Sequence, residues 1–482
     1  MADLLMGETW PGGCQDVEAL DIVNELAPKL TSRVVELLSL PAELVDSIAS
    51  YLTPRELARL SMTCRRLCGH ALHDMHWRRH VLENLPGNQI SSPYPCQSWR
   101  HLYVAHHEHW FLTKHKVWFS DHLLTGQVAI ARYDPRRGCI EVYQLIAVRT
   151  QDGTLPWIGH PEVHIQLFDP NVKLHLDRPI LQFNPDSWAN LMQLPTSPGA
   201  TPVRRFFGEE SIRLTHGSDP RSSTFALARP MSEQEVSEYM SDEFPHGHVW
   251  PPPIIPASHR VMGVPNDMSS QVPLEAAKAK LVARCKSSEA STLAFRIRQW
   301  MQMAIGFRYG EEVSTYATLD PSLYTPTAER PWRGIWIGDY SIHGSEFVLI
   351  TQPDSTREPL MKGRNESDEE FKARFMSERV YRDKLEAIKL TGDPHVPRGE
   401  ISFIADDLGA RGFIQVADDP AFCGSRIVRS RGHIAGPGFI ADSYTPSQLI
   451  LIGPNRIAQY WEEYQHVSYF ERVNIDDYLT VS

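Results

Sequence analysis

The chain has 482 residues and a mass of 54.8 kDa, more than one ordinary core spans, so two or three structural units joined by linkers are expected. Apolar residues at 42%, with 12 Trp, 18 Phe and 16 Tyr, exclude a wholly disordered chain. A formal charge of -11 and the lack of any long basic run argue against a nucleic-acid partner.

No run approaches the roughly twenty apolar residues that span a bilayer, and Met1-Ala2-Asp3-Leu4-Leu5-Met6 has no basic segment leading an apolar one, so no membrane partner is expected. The seven cysteines, at 14, 64, 68, 96, 139, 285 and 423, are odd in number and scattered, which suits reduced thiols. Together these features point to a cytoplasmic or nuclear location.

Residues 1–36 form a weakly ordered lead-in. In the segment after it, Leu44, Ile48 and Leu52 recur every four residues behind Leu40-Pro41-Ala42-Glu43; this is one apolar face of a helix, with Pro41 placed where its missing N–H costs nothing. Thr53-Pro54-Arg55-Glu56 has the form of a capping box and opens a second helix. Leu57, Leu60, Cys64 and Leu67 mark its apolar side and Gly69 its stop. A third short helix carries Trp77 and Val81. Residues 37–85 thus form a bundle too small to cover all its apolar surface, so it needs a partner.

From 98 to 190 the texture is β-rich. Val128 to Tyr133 and Cys139 to Ile146 flank the turn Asp134-Pro135-Arg136-Arg137-Gly138, a hairpin. Residues 191–290, which include Pro251-Pro252-Pro253, are expected to be long loops or a wrapping linker. Leu293, Ile297 and Met301 suggest a helix at the start of the last region, 291–482, which is expected to form one unit with 98–190. Beyond it, Ile335 to Tyr340 pairs with Glu346 to Ile350 across a glycine-containing turn, and a charged insertion holds a helix around 368–384. Leu385 to Leu390 and Ile401 to Ile404 flank a turn over 391–399, and Leu449 to Ile452 with Ile457 to Trp461 supply two more strands. Gly432 to Gly438 reads as a tight loop. Closure into a barrel would remove the exposed strand edges.

Enzyme constellations are missing: there is no phosphate loop, no Gly-x-Ser-x-Gly elbow and no His-Glu-x-x-His helix. Cys64-x-x-x-Cys68-x-His70-x-x-His73 lies across the second helix and is better explained by packing than by metal. His106, His107, His109, His115 and His122 lack a spacing that would surround one ion. Asp406-Asp407 and Asp418-Asp419 are neighbours whose side chains diverge on a strand, so they do not form an acid/base pair. No catalytic residue, metal or cofactor is assigned.

Leu40-Pro41-x-Glu43-Leu44, Ile48, Leu52, Pro54, Leu57, Leu60, Cys64-Arg65-Arg66 and Trp77 resemble the F-box motif. In that family the motif docks on the Skp1 adaptor and through it joins a cullin and a RING protein in a ubiquitin ligase. The resemblance implies an adaptor contact through Leu40, Pro41, Leu44, Ile48 and Leu52, with Leu57 and Leu60 shared between contact and core. Gly334 to Glu346, Thr391 to Glu400 and Gly432 to Phe439, in that order, look like blocks of the C-terminal β-barrel of F-box-only proteins related to the cyclin D receptor. What this implies is an α+β chain: a three-helix F-box, then a β-rich, barrel-like domain with long loops that binds the degradation signal of a protein substrate, such as a chain end. His343, Glu346, Asp393 and His433, in turns of these blocks, and the aromatics Trp336, Tyr340 and Phe439 are the candidate substrate-binding residues. The implied role is non-catalytic; the alternative is Skp1 binding outside a cullin ligase, as an assembly or trafficking adaptor.

Overall fold

The computed structural model describes residues 37–87, 90–107, 109–120, 125–150, 153–158, 160–183, 209–212, 223–228, 249–250, 261–262, 291–302, 308–353, 361–364 and 366–481. One compact unit ends at Leu72 and a second begins at His73. The lead-in lies outside the described residues, as does most of 191–290.

In the first unit, α1 (Ala42–Ala49) follows Pro41 and buries Val45 and Ala49. Leu44 and Ile48, one position earlier in each turn, stay 51% and 44% exposed. Helix α2 (Pro54–Ser61) starts with the expected box: the Thr53 N–H donates to Glu56 Oε2 at 2.8 Å and the Glu56 N–H donates to Thr53 Oγ1 at 3.4 Å. It stops sooner than the apolar spacing suggests. The Ser61 and Thr63 hydroxyls donate to the Ala58 and Leu60 carbonyls at 2.7 and 2.8 Å, competing with continued helix. Cys64 is then extended and exposed, at the N-terminus of a separate α3 (Arg65–Ala71). The expectation that Cys64 packs on the second helix is therefore corrected. Arg66 donates to the Leu38 and Leu40 carbonyls at 2.6 and 3.1 Å, fixing the short turn Leu37–Ser39.

The second unit opens with α4 (Asp74–Glu83), α5 (Trp99–Ala105) and α6 (Trp110–His115). Trp77 and Val81 are buried on α4, and Asp74 Oδ1 accepts the Trp99 N–H at 2.8 Å, joining α4 to α5. Two helices therefore precede the strands of the segment read as β-rich from 98. After them an eight-stranded antiparallel sheet forms. It contains β1 (Val117–Ser120), β2 (Gln127–Asp134), β3 (Cys139–Arg149), β6 (Pro170–Phe183), β7 (Glu209–Ile212), β8 (Ser223–Ala228), β11 (Ser291–Gln302) and β12 (Arg308–Ala317). The order is β6-β3-β2-β1-β12-β11-β8-β7, so segments 98–190 and 291–482 share a sheet.

The helix expected near Leu293 is instead β11. Phe295 and Ile297 alternate along it, and Phe295 stacks on Tyr316 of β12 at 4.9 Å. Cross-strand aromatic pairing outweighs the four-residue spacing of Leu293, Ile297 and Met301. Within 191–290 the described residues form short strands, β7 and β8 in this sheet and β9 (Val249–Trp250) paired with β10 (Val261–Met262).

Eight strands close a barrel: β13 (Gly334–Asp339), β14 (Ser345–Thr351), β15 (Leu385–Lys389), β16 (Ile401–Ala405), β18 (Arg426–Gly436), β19 (Ile440–Leu451), β20 (Arg456–Trp461) and β21 (His466–Arg472). Closure is by β13 on β21, with Trp336 opposite Arg472 and Gly338 opposite Phe470. The other half of that β21 edge, His466 and Val467, takes β5 (His160–Gln166) in parallel, and β4 (Thr154–Trp157) adds to β5. A short β17 (Phe413–Val416) also pairs with β18. Outside the sheets are the one-turn α7 (Pro321–Tyr324) and α8 (Asp368–Val380), which starts at a Ser367/Glu370 capping box within the charged insertion.

Period-two alternation explains why whole barrel strands are buried. Trp336, Val348, Ile350, Leu385, Ala387, Phe403 and Phe470 fill the interior. Their neighbours Ile335, Ile337, Phe347, Leu349 and Ile388 face outward and pack against Val117, Phe119, Val128 and Ile130 of the open sheet. Gly338 is required where it stands, because a Cβ there would meet the Phe470 ring at 2.3 Å. The stretch Gly432 to Gly438 is mostly strand: β18 runs to Gly436, and the turn to β19 is made at 437–439.

Candidate substrate pocket at one end of the barrel

Beyond the apolar layers, the interior face turns polar at one end. Continuing by twos from Trp336 reaches Tyr340, from Val348 back reaches Glu346, and from Ala387 reaches Lys389. Lys389 is 2% exposed, with its ammonium 2.8 Å from Glu346 Oε2 and 2.6 Å from Asp393 Oδ2. It also lies 4.3 Å from the centre of the Tyr340 ring. The Tyr340 hydroxyl shares a 2.6 Å hydrogen bond with Ser402 Oγ, and burial raises its pKa well above the usual tyrosine range.

The two carboxyls beside Lys389 are pushed apart. Burial drives Glu346 up to about 8 against the pull of Lys389, and the nearby Asp393 charge adds to the rise. Asp393 is also disfavoured by burial, yet Lys389, a hydrogen bond with Glu346 and the His395 N–H hold it below the ordinary carboxylate range. At neutral pH the trio is therefore a carboxylic acid, an ammonium and a carboxylate, with no net charge. This is how a buried cluster of ionisable groups avoids the cost of an unpaired charge.

Turns hold the rest of the rim. Asp393 Oδ1 accepts the His395 and Val396 N–H groups at 2.6 and 3.0 Å, closing a tight loop over Pro394. Gly392 permits that loop, since a Cβ would lie 2.3 Å from the Arg398 nitrogen. On the facing turn, Ser341 and Gly344 take positive φ, and Asp339 Oδ1 accepts the Ser341 N–H at 2.7 Å. Arg149 pairs with Asp339 and donates to the Ser341 carbonyl at 2.9 Å. These contacts leave His343 exposed and its ring 4.6 Å from that of His395. Partial burial lowers the His343 pKa despite the opposing pull of Asp393.

A cavity of about 400 Å³ opens between these turns. Tyr340, His343, Lys389, Asp393, His395 and Val396 form one side, and His433, Ile434, Ala435, Trp461, Tyr464, His466 and Ser468 close the other. His433 is fixed on both nitrogens, Nδ1 to the Ile401 carbonyl at 2.8 Å and Nε2 to Asp442 at 3.1 Å, and its ring stacks on Tyr444.

Of the substrate-binding candidates, Tyr340, His343, Asp393 and His433 line the cavity. Glu346 sits behind it, reached through Lys389. Phe439 packs edge-on against His433 at 5.7 Å and is half-buried. Trp336 is fully buried in the barrel core, donating from Nε1 to the Trp332 carbonyl at 3.0 Å, and does not reach the cavity. Lys389, His395 and Trp461 also line the cavity and are not among the candidates that the sequence supplies. The signal for Lys389 was its phase, since it shares a strand face with Leu385 and Ala387.

Of the adaptor-contact candidates, Pro41, Leu44 and Ile48 are exposed, Leu40, Leu52 and Leu60 are half-buried, and Leu57 is fully buried.

Comparison with known proteins gives two matched regions, the first of which crosses the Leu72/His73 boundary between the compact units. Residues 37–83 match the F-box-like family and residues 316–477 the cyclin D1 binding domain. The chain is also similar to two curated Arabidopsis thaliana proteins. It is 27% identical to Protein EXECUTER 1, chloroplastic, over 164 residues, 31% of this chain and 22% of that protein. It is 30% identical to Protein EXECUTER 2, chloroplastic, over 96 residues, 20% of this chain and 13% of that protein. The chain thus spans less than a quarter of the length of either relative. An N-terminal F-box-like domain followed by a cyclin D1 binding domain built on a closed eight-stranded barrel matches an F-box protein of the cyclin D receptor type.

Proposed function

We propose that this chain is the substrate-receptor subunit of a Skp1-cullin-F-box ubiquitin ligase. The F-box docks on Skp1, which brings a cullin and a RING protein, and the barrel cavity captures the degradation signal of a protein substrate. The chain supplies position and the associated enzymes supply chemistry. Holding a substrate lysine near a charged conjugating enzyme replaces a rare encounter with an effectively intramolecular one.

The observation that carries this reading is the split of α1 into two faces within a matched F-box-like domain. Val45 and Ala49 are buried, while Leu44 and Ile48 are exposed large apolar side chains on an eight-residue helix. Exposed apolar surface in a row is what a docking helix presents.

The test is affinity capture of the full chain and of its Leu44→Ala/Ile48→Ala variant from a proteasome-inhibited extract. Each truncation at a core-like interface costs about 2–5 kcal/mol of binding, enough to lose Skp1 and the cullin, whereas cavity-bound proteins stay. Equal Skp1 recovery with a still-folded variant refutes the docking assignment. Skp1 without any cullin refutes the ligase.

A further inference from the structure

We infer that His343, Asp393 and His395 form a binding site for a first-row divalent cation, Zn²⁺, at the rim of the barrel cavity. One ligand atom from each of the three lies within 4.8 Å of the others. Two imidazoles and one carboxylate are a donor set suited to zinc, and three protein ligands with one open position describe a site that keeps room for an exogenous oxygen.

Two further observations point to a ligand here. His395 Nδ1 is buried without a hydrogen-bond partner, and it faces Asp393 Oδ1 across 3.5 Å. That gap is long for a hydrogen bond and close to the edge of about 3.3 Å between donors of a tetrahedral zinc with bonds near 2.0–2.1 Å. The supporting contacts are also in place. Asp393 Oδ1 is aimed by the His395 and Val396 N–H groups, and its other oxygen is held by Lys389, whose charge is shared with Glu346. Groups that orient a ligating carboxylate in this way tune and stabilise metal sites.

His343 comes from a different element, the turn Ser341–His343 between β13 and β14. A bound ion would therefore tie this turn to the 391–399 loop, with its open position towards the cavity. That open position deepens the reading of the cavity as a receptor site, because an oxygen donor on the occupant could complete the ion. Binding of the ion itself does not depend on that reading.

The test uses the full chain and metal alone, without substrate. Titration with Zn²⁺ against a chromophoric chelator gives stoichiometry and affinity, and Co²⁺ substitution gives the intense visible band of a four-coordinate site. One ion per chain is expected from this site. His343→Ala and His395→Ala should each weaken it about 100-fold, the upper scale for losing even a supporting group. Ile342→Ala, on the same turn and 90% exposed, should bind as the parent does, as should Cys64→Ser/Cys68→Ser. Binding unaltered by the two histidine changes places the metal elsewhere and overturns the proposal, as does the absence of any cobalt band. Because His343 is exposed, a folded His343→Ala chain that keeps Skp1 and loses metal separates this site from the adaptor function.

Discussion

Glu346→Gln should make the chain more stable, and by an amount that grows with pH. Glu346 is 4% exposed, 2.8 Å from Lys389, and burial holds its carboxyl up at about 8 instead of 4.5. Between those two pH values the folded chain binds a proton that the unfolded chain has released, so stability falls as pH rises through the window. Each pH unit of that span is worth about 1.4 kcal/mol, so the whole span approaches about 5 kcal/mol. Gln keeps the shape and the donor of the protonated acid and cannot ionise. The variant should therefore match the parent near the unfolded value of 4.5, exceed it by about 3 kcal/mol at neutral pH, and reach the full difference above pH 8. Urea unfolding followed by tryptophan fluorescence, at a series of pH values, reads the difference directly, with Trp332 and Trp336 in the barrel core as reporters. A difference that does not change with pH refutes the raised carboxyl. A Gln variant that is less stable at every pH shows that the ionised Glu346 is needed by Lys389.

Three other changes probe the same frame. Lys389→Met removes the cation from between two buried carboxyls and leaves Asp393 charged without its partner; a loss of about 3–5 kcal/mol is expected in urea unfolding at neutral pH, and a loss under 1 kcal/mol would contradict it. Gly392→Ala forces a Cβ to 2.3 Å from the Arg398 nitrogen and 2.5 Å from the Pro397 carbonyl carbon. Backbone cannot rotate away as a side chain can, so the variant should lose about 3 kcal/mol or more, seen as a lowered urea midpoint. Leu44→Ala/Ile48→Ala strips exposed surface and should change unfolding by less than about 1 kcal/mol, so circular dichroism and urea midpoints near the parent's must accompany its loss of Skp1.

Much of the fold could be read from local signals because the strands obey period two and the turns carry their own chemistry. Asp134 to Gly138 closes the β2–β3 hairpin as its residues demand, and the Thr53/Glu56 box starts α2. What misled was period without context. Leu293, Ile297 and Met301 have helical spacing, yet β11 lies between two strands and stacks Phe295 on Tyr316. Cys64 continues an apolar stripe on paper, but hydroxyl back-bonding from Ser61 and Thr63 ends the helix before it. The first competitor, Tyr316, lies outside the segment it overrides, whereas Ser61 and Thr63 stand within theirs and are masked by the regular spacing of the leucines around them.

The cavity illustrates the same division more sharply. His343, Asp393 and His433 could be singled out because turn residues are free to face a rim. Lys389 could not be found from residue type, since a lysine at the end of a strand ordinarily reaches solvent. Its burial follows from two facts that only the closed sheet supplies. The barrel fixes the interior phase: Ala387 pairs with Ile350 and Lys389 with Val348, both interior, so the position two after Ala387 points inward. The turns after β13 and β15 then bring Glu346 and Asp393 within 2.8 and 2.6 Å of the ammonium. A lysine forced inward without them would lose its proton or unfold the end of the barrel. With them, the polar end of an otherwise apolar interior can be dry, neutral and shaped, which is the condition for a cavity whose ligand is chosen by hydrogen bonds rather than by net charge.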